Sequence, residues 1–156
     1  MTIATSLKAF LEKNTADFET VAHPHTQSSI DTSIVAHVPP ARLAKAVIIK
    51  DDEAYLMLVV PADHHVHLGR LHHYLGREVG LATEEELSAL SPDCDLGAIP
   101  PLGAVYGVRA LVASSLAEQP ELFLESGDHR TLVKVSGEQF ASLIGNAEWV
   151  DVNKQL

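Results

Sequence analysis

The sequence predicts an α+β fold: a single domain over residues 1–156, with a mixed, largely antiparallel sheet flanked by helices. Three observations carry this reading. The chain has 156 residues, 46% hydrophobic and 21% charged, which suffices for one globular core and not for two. Helical and strand-like apolar patterns follow one another irregularly, without the strict alternation of a doubly wound parallel sheet. Several strand-like runs are separated by short turns, so sheet neighbours are hairpin partners. Aromatic residues make up only 5%, which leaves the core to aliphatic side chains.

The elements follow in order. Leu7, Phe10 and Leu11 fall at helical spacing and predict an amphipathic helix over 6–14. Residues 18–22 alternate weakly and predict a strand, ended by His23-Pro24-His25, because proline disfavours the helical region in the residue before it. Ile30, Ile34 and Val35 lie on one side of a second helix over 28–37, stopped by Pro39-Pro40. The most apolar runs, 43–50 and 54–61, are rich in Val and Ile and separated by Asp51-Asp52-Glu53, which predicts a little-exposed β-hairpin. Leu68, Leu71 and Leu75 predict a helix over 66–76, stopped by Gly76. Thr83-Glu84-Glu85-Glu86 is a capping box that opens a short helix. Residues 96–103 must be a loop, since their Gly and Pro forbid both regular structures. Strands are predicted over 105–112, 122–124 and 131–135. Ser136 to Gln139 reads as a second capping box, with Phe140, Leu143 and Ile144 facing inward from the last helix.

Composition excludes several classes of function. The net charge of −10 argues against a broad nucleic-acid face. Nine of the acids fall in two stretches, Glu84, Glu85, Glu86, Asp93 and Asp95, then Glu118, Glu121, Glu125 and Asp128, both read as solvated surface. The remaining charges nearly balance, so a local basic patch can survive, drawn from Arg42, Lys45, Lys50, Arg70 and Arg77. No run approaches the ~18 apolar residues of a membrane span, and the N-terminus lacks a secretory pattern. The lone Cys94 excludes an intramolecular disulfide and a four-cysteine zinc site. Together these predict a cytoplasmic protein.

Lys45 is the first candidate for chemistry. It sits inside an apolar strand, where a lysine is costly unless it faces a cleft or snorkels from an edge. Desolvation would lower its pKa. The loop Gly97-Ala98-Ile99-Pro100-Pro101-Leu102-Gly103 can aim backbone amides at an anion or a carbonyl oxygen, or serve as a plain connector. Gly127-Asp128-His129 lies between two strands, and His129 either contacts a ligand or is an exposed turn histidine. Five of the nine histidines crowd into His64, His65, His67, His72 and His73, but His67 lacks the i,i+4 relation that converging ligands would need, and no HExxH is present. No metal and no cofactor are expected, for GxSxG, GxxxxGK[ST] and GxGxxG are absent too. Asp93 and Asp95 disfavour a thiolate at Cys94, a poor nucleophile.

Taken in order, these pieces resemble the YbaK-type family of aminoacyl-tRNA editing domains, related to the insertion domain of bacterial prolyl-tRNA synthetase. "LAKAVIIKDDEAYLMLVVPAD" is similar to the family's lysine-bearing hairpin, and "VHLGRLHHYLG" to the helix after it. "LGAIPPLG" resembles its Gly-x-x-x-Pro loop, at Gly97 and Pro101, and "SGDHRTLVKVSGEQFASLIG" its closing turn, strand and helix. The resemblance spans roughly residues 5–150. Three positions depart from the usual pattern: Ala46 where threonine is common, Leu96 where a second glycine is common, and Pro100 where a small polar residue is common.

The resemblance implies a trans-acting hydrolase that cleaves the ester of mischarged tRNA, with no cofactor. Its partners would be the aminoacylated tRNA 3′ end and an aminoacyl-tRNA synthetase, with no DNA and no membrane. Lys45, Gly97 and Pro101 would be catalytic: Lys45 by its charge, and the loop by orienting the carbonyl and the attacking water. Ala46, Ala98, Ile99, Pro100, Gly127 and His129 would bind substrate. Two alternatives stay open. The departures fit a catalytically inactive module of the same fold that binds a small molecule, a tRNA end or a partner protein. The histidine cluster fits a metal-dependent hydrolase.

Overall fold

In the computed structural model, residues 3–52 and 54–155 are described. The chain runs through helix α1 (Thr5–Lys13), strand β1 (Glu19–Ala22), helix α2 (Ser29–Val35), strands β2 (Leu43–Asp51), β3 (Ala54–Pro61) and β4 (His64–Val66), and helix α3 (Leu68–Leu75). It continues through β5 (Gly80–Leu81), α4 (Glu84–Leu90), β6 (Arg109–Ala113), β7 (Glu121–Glu125), β8 (Thr131–Ser136), α5 (Gly137–Ile144), β9 (Glu148–Val150) and β10 (Asn153–Gln155).

The predicted hairpin forms the middle of the sheet. β2 and β3 pair antiparallel from Ala44–Pro61 to Asp51–Ala54. Leu56 through Val60 are all buried, as expected of a continuous apolar run covered on both faces. Strand order is β1-β8-β7-β2-β3-β6-β9, with β5 also on β2, and β4–β10 form a separate ribbon. Pairing is antiparallel for β1–β8, β7–β8, β2–β3 and β2–β5, and parallel for β2–β7, β3–β6 and β6–β9. The fold is therefore α+β with a mixed sheet. The main core unites Leu7 and Leu11 of α1, the hairpin, Ile99 and Leu102 of the loop, and Phe140 and Leu143 of α5. Val38, Leu43, Ala62 and Leu132 form a smaller cluster.

Helix boundaries follow local chemistry. The Thr83–Glu86 capping box forms reciprocally, and Gly76 ends α3 in the left-handed region at φ 75°. The second predicted box forms by half. Ser136 accepts from the Gln139 amide, but Gln139 Oε1 accepts instead from the Asp17 amide at 2.9 Å, tying α5 to the start of β1. The strand predicted over 105–112 starts only at Arg109, because Gly103–Val105 closes a 3-10 turn and Gly107 takes φ 67°. Strands β4, β5, β9 and β10 were not foreseen, being too short to show a period. Of the predicted acidic turn, Asp52 takes φ 57°, while Glu53 lies outside the described residues.

Helix α2 is inverted relative to its apolar pattern. Ser29, Thr32 and Ser33 are buried, while Ile34 is 67% exposed. Hydrogen bonding decides this: Ser29 Oγ donates to a buried carboxylate of β7, Glu125 Oε2, at 3.0 Å, and Thr32 Oγ1 donates to the Ser28 carbonyl at 3.0 Å and pairs with Thr26 Oγ1. Among the described residues no helix is long and apolar enough to cross a membrane.

Two glycines test the packing. A methyl group on Gly103 would lie 2.6 Å from the Val108 carbonyl oxygen, whereas on Gly80 it would meet nothing within 4 Å. Gly103→Ala is expected to destabilise by about 1–3 kcal/mol in urea unfolding, and Gly80→Ala to stay within about 0.5 kcal/mol. Equal stabilities would contradict the described packing.

Candidate functional site

β2 is paired with β3 along nearly its whole length, but its other edge is covered only toward its two ends. There β7 pairs only with Leu43 and Ala44, and β5 only with Ile49 and Lys50. Among the described residues no strand pairs with Lys45, Ala46 or Val47 on that edge. These three are the half-buried residues of a strand otherwise buried from Leu43 to Ile49. Two strands splaying off one edge thus open the sheet at the lysine.

Lys45 Nζ donates to the Ala62 carbonyl at 3.3 Å. Burial pushes its pKa below the usual lysine range, with the Asp63 carboxylate opposing part of that shift. Ala44 is opposite Leu124 in the parallel β2–β7 ladder. Beyond that pair the two strands part, so Lys45 and Glu125 each lie one residue past the last rung.

Glu125 was expected on a solvated acidic surface, and the structure corrects this: its exposure is 0%. The Glu125 carboxylate lies 3.6 Å from His129 Nδ1. His129, expected either at a ligand or exposed on a turn, is only 3% exposed and takes the left-handed φ of 55°. Its Nε2 is 2.7 Å from the Leu96 carbonyl oxygen, which can only accept, so Nε2 carries a proton. With that nitrogen fixed as a donor, a neutral ring would turn a lone pair toward a buried carboxylate. The Glu125 carboxylate accordingly raises the His129 pKa, against the effect of burial. The His25 ring stands edge-on to His129, with centroids 6.1 Å apart. Neither Glu125 nor Ser29 was singled out from the sequence. The one available signal was an acid four residues before a histidine.

His129 fastens the Gly97–Pro101 loop to this unit through Leu96. The Asp95 amide donates to the Gly127 carbonyl at 2.7 Å, and the Ala98 amide to Asp95 at 3.1 Å. Gly97 takes φ 79°, which favours glycine. The side chains of Ala98 and Ile99 are 0% and 4% exposed and Pro100 and Pro101 are buried, so the loop offers a ligand its main chain. Among the described residues the amides of Gly97 and Ile99 have no hydrogen-bond acceptor. Gly127 is buried at φ 116°, and a methyl group there would lie 3.0 Å from Ala4 Cβ. It shapes the turn by its backbone.

The anticipated basic patch is neutralised in part. Lys50 pairs with Glu86, Arg77 pairs with Asp51, and Arg42 donates to Gln119 Oε1 at 3.2 Å. Three clustered histidines are occupied structurally: His67 caps α3, His72 Nε2 bonds the Val79 carbonyl at 2.9 Å, and His64 pairs with Asn153. Among the described residues no group of three or more His, Cys, Asp or Glu side chains converges as a metal site. Burial pushes the Cys94 thiol up to about 12, and the Asp93 charge adds to that.

Comparison with known proteins gives a consistent result. A family model described as an aminoacyl-tRNA editing domain matches residues 23–143, more than half of the chain. A proline–tRNA ligase of Bacillus cytotoxicus is 27% identical over 100 residues, which is 64% of this chain but only 18% of the ligase. The chain thus spans under a fifth of that relative's length. A solved structure described as a candidate trans-editing enzyme for prolyl tRNA synthetase superposes with a TM-score of 0.84 at 20% identity, covering 97% of this chain and 96% of the other. The hypothetical protein APE2540 superposes with a TM-score of 0.83 at 16% identity, covering 96% and 99%. At such identities these structures share the fold.

Two measurements check the site. Since the folded His129 pKa lies above the unfolded value of 6.5, the Glu125–His129 pair stabilises fully below that value and loses its contribution as pH rises through the folded one. Urea unfolding between about pH 6 and 8, below the range where the unfolded Cys94 thiol ionises, should show a decline that disappears in Glu125→Gln; the same slope in both proteins would exclude a raised His129 pKa. Native Cys94 should react with an aromatic disulfide reagent at pH ~8 far more slowly than the unfolded chain, because the thiolate is the reacting form. Equal rates would show an accessible, ionised thiol.

Proposed function

Because the chain belongs to the aminoacyl-tRNA editing domain family, we propose that it is a trans-acting deacylase that hydrolyses the ester of mischarged tRNA. The observation that supports this most is the open edge of β2. It presents a partly desolvated lysine, and the Gly97–Pro101 loop carries two amides that lack acceptors among the described residues, the equipment an activated ester requires.

An aminoacyl ester needs little covalent help. Its carbonyl is already electrophilic, so catalysis reduces to placing a water and stabilising the oxyanion. In this reading the amides of Gly97 and Ile99 donate to the carbonyl oxygen as charge develops there. Pro101 stiffens the end of that loop. Lys45 meets the anionic 3′-terminal phosphodiester, and its partial desolvation strengthens the attraction. The ribose hydroxyl next to the ester helps to orient the water, so no side-chain nucleophile is required. Ala46, Ala98, Ile99, Pro100, Gly127 and His129 bound the amino-acid end through the open edge, the loop backbone and the turn. A pocket of this kind discriminates by size, and one methylene is worth about 1–3 kcal/mol, so related amino acids compete. Because Lys50 and Arg77 are held by Glu86 and Asp51, the footprint on tRNA is small and binding is salt-sensitive. Recruitment by an aminoacyl-tRNA synthetase would offset that weakness.

The test is a panel of tRNAs mischarged with alanine, serine, proline and cysteine, incubated with the natural protein and with Lys45→Ala. Loss of one or two esters is expected, with the variant slower by about 100-fold or more, the scale seen when a charge-stabilising group is removed. Full activity in Lys45→Ala would remove the role given to the lysine. Binding without turnover across the panel would favour the inactive binding module.

A further inference from the structure

We infer that Glu125 is a positioning residue: by keeping a proton on His129, it holds the Gly97–Pro101 loop in the geometry that hydrolysis needs. The inference rests on the deacylase reading for its catalytic consequence, and on geometry alone for the protonation and the loop.

The connections form one buried line. Ser29 Oγ on α2 donates to Glu125 Oε2 at 3.0 Å, Glu125 faces His129 Nδ1 at 3.6 Å, and His129 Nε2 donates to the Leu96 carbonyl at 2.7 Å. Leu96 immediately precedes Gly97. His129 Nδ1 and Glu125 Oε1 are both fully buried without a hydrogen-bond partner among the described residues. Such atoms are tolerated in a core when opposite charges face each other. A neutral imidazole would set a lone pair against the ionised carboxylate, whereas an imidazolium sets a positive charge against it, at 3.6 Å from Oε2. It also turns the Nε2 hydrogen bond into a charge-assisted one, roughly twice as strong as its neutral counterpart. The loop carrying the two unspent amides is therefore anchored by a charge that Glu125 supplies from behind.

The surrounding groups define how this anchor titrates. From its own loop, the Asp95 carboxylate adds to the stabilisation of the imidazolium. His25 approaches edge-on, with ring centroids 6.1 Å apart. Lys45 Nζ is directed to the Ala62 carbonyl, and the carboxylate acting on it is Asp63. Asp128 Oδ1 accepts from the amides of Arg130 and Thr131 at 2.8 and 2.9 Å within the turn. The Glu125 carboxylate faces His129 Nδ1 at 3.6 Å, and burial keeps bulk water from screening the pair.

The experiment combines Glu125→Gln, which keeps the shape and removes the charge, with Ser29→Ala, which weakens the support of the carboxylate. Imidazole nitrogen shifts read the protonation of His129 by NMR, and amide hydrogen exchange reads the loop at Gly97, Ala98 and Ile99. In the natural protein His129 should be an imidazolium at pH 7, and in Glu125→Gln it should be neutral, with faster exchange in the loop. Deacylation by Glu125→Gln should fall about 10- to 100-fold in kcat with KM changed less than about twofold, the scale of a small misplacement of catalytic groups. That deficit should narrow as pH is lowered and His129 regains its proton, a rescue that a purely structural defect would not give. Ser29→Ala should move each readout the same way by less. A neutral His129 in the natural protein at pH 7, or unchanged loop exchange in Glu125→Gln, would overturn the inference. If the natural protein hydrolyses no ester while His129 and the loop respond as stated, the deacylase reading fails and the loop anchor stands.

Discussion

A carboxylate with no exposure to solvent must find charge or hydrogen bonds nearby, since the cost of burying it alone exceeds what a chain of this size has in reserve. Glu125, at the last position of β7, imposes that condition on its surroundings. Ser29 meets it from α2, which is why that helix turns its hydroxyl face inward and leaves Ile34 in solvent. His129 meets it from the turn that follows, at a left-handed backbone angle rarely taken by a non-glycine residue. Through the Leu96 carbonyl the same histidine reaches the loop at the site. Three segments far apart in the chain are thus placed by the needs of one side chain.

The second organising constraint is the way β2 shares its edge. A central strand fully paired on both sides would bury Lys45 or expel it. Here β7 leaves after Ala44 and β5 arrives only at Ile49, which makes room for a lysine to keep its charge inside a sheet. Its pKa is lowered but Asp63 limits the shift, a balance suited to holding an anion. The loop contributes in a complementary way. Its side chains are given to the core, so its backbone is what remains for a ligand. The departures Ala46, Leu96 and Pro100 are compatible with that division of labour, because Leu96 acts through its carbonyl oxygen and Pro100 is buried.

Much of the fold was legible from local patterns. The hairpin, α1, α3, α4, β7 and β8 follow from apolar periodicity and from caps that act within one turn, such as the Thr83–Glu86 box. Lys45 and the Gly97–Pro101 loop stood out because a lysine in an apolar strand and a Gly–Pro-rich run are visible without neighbours. The reading failed where distant partners decide. Gln139 abandoned its capping box for the Asp17 amide, and α2 reversed its face for a carboxylate 96 residues away. Glu125 itself looked like one of several surface acids, since nothing adjacent to it announces burial.

The sequence by itself determined the class of fold, the elements that depend on near neighbours, and the two candidate features whose chemistry is written into single residues. Only the tertiary structure decided that Lys45 lies at a break in the sheet, that Glu125 is interior, and that His129 links that carboxylate to the loop. The physical reason is range. Propensity, capping and periodicity act over a few residues and are encoded in order, whereas desolvation and charge pairing depend on what the folded chain brings within a few ångströms.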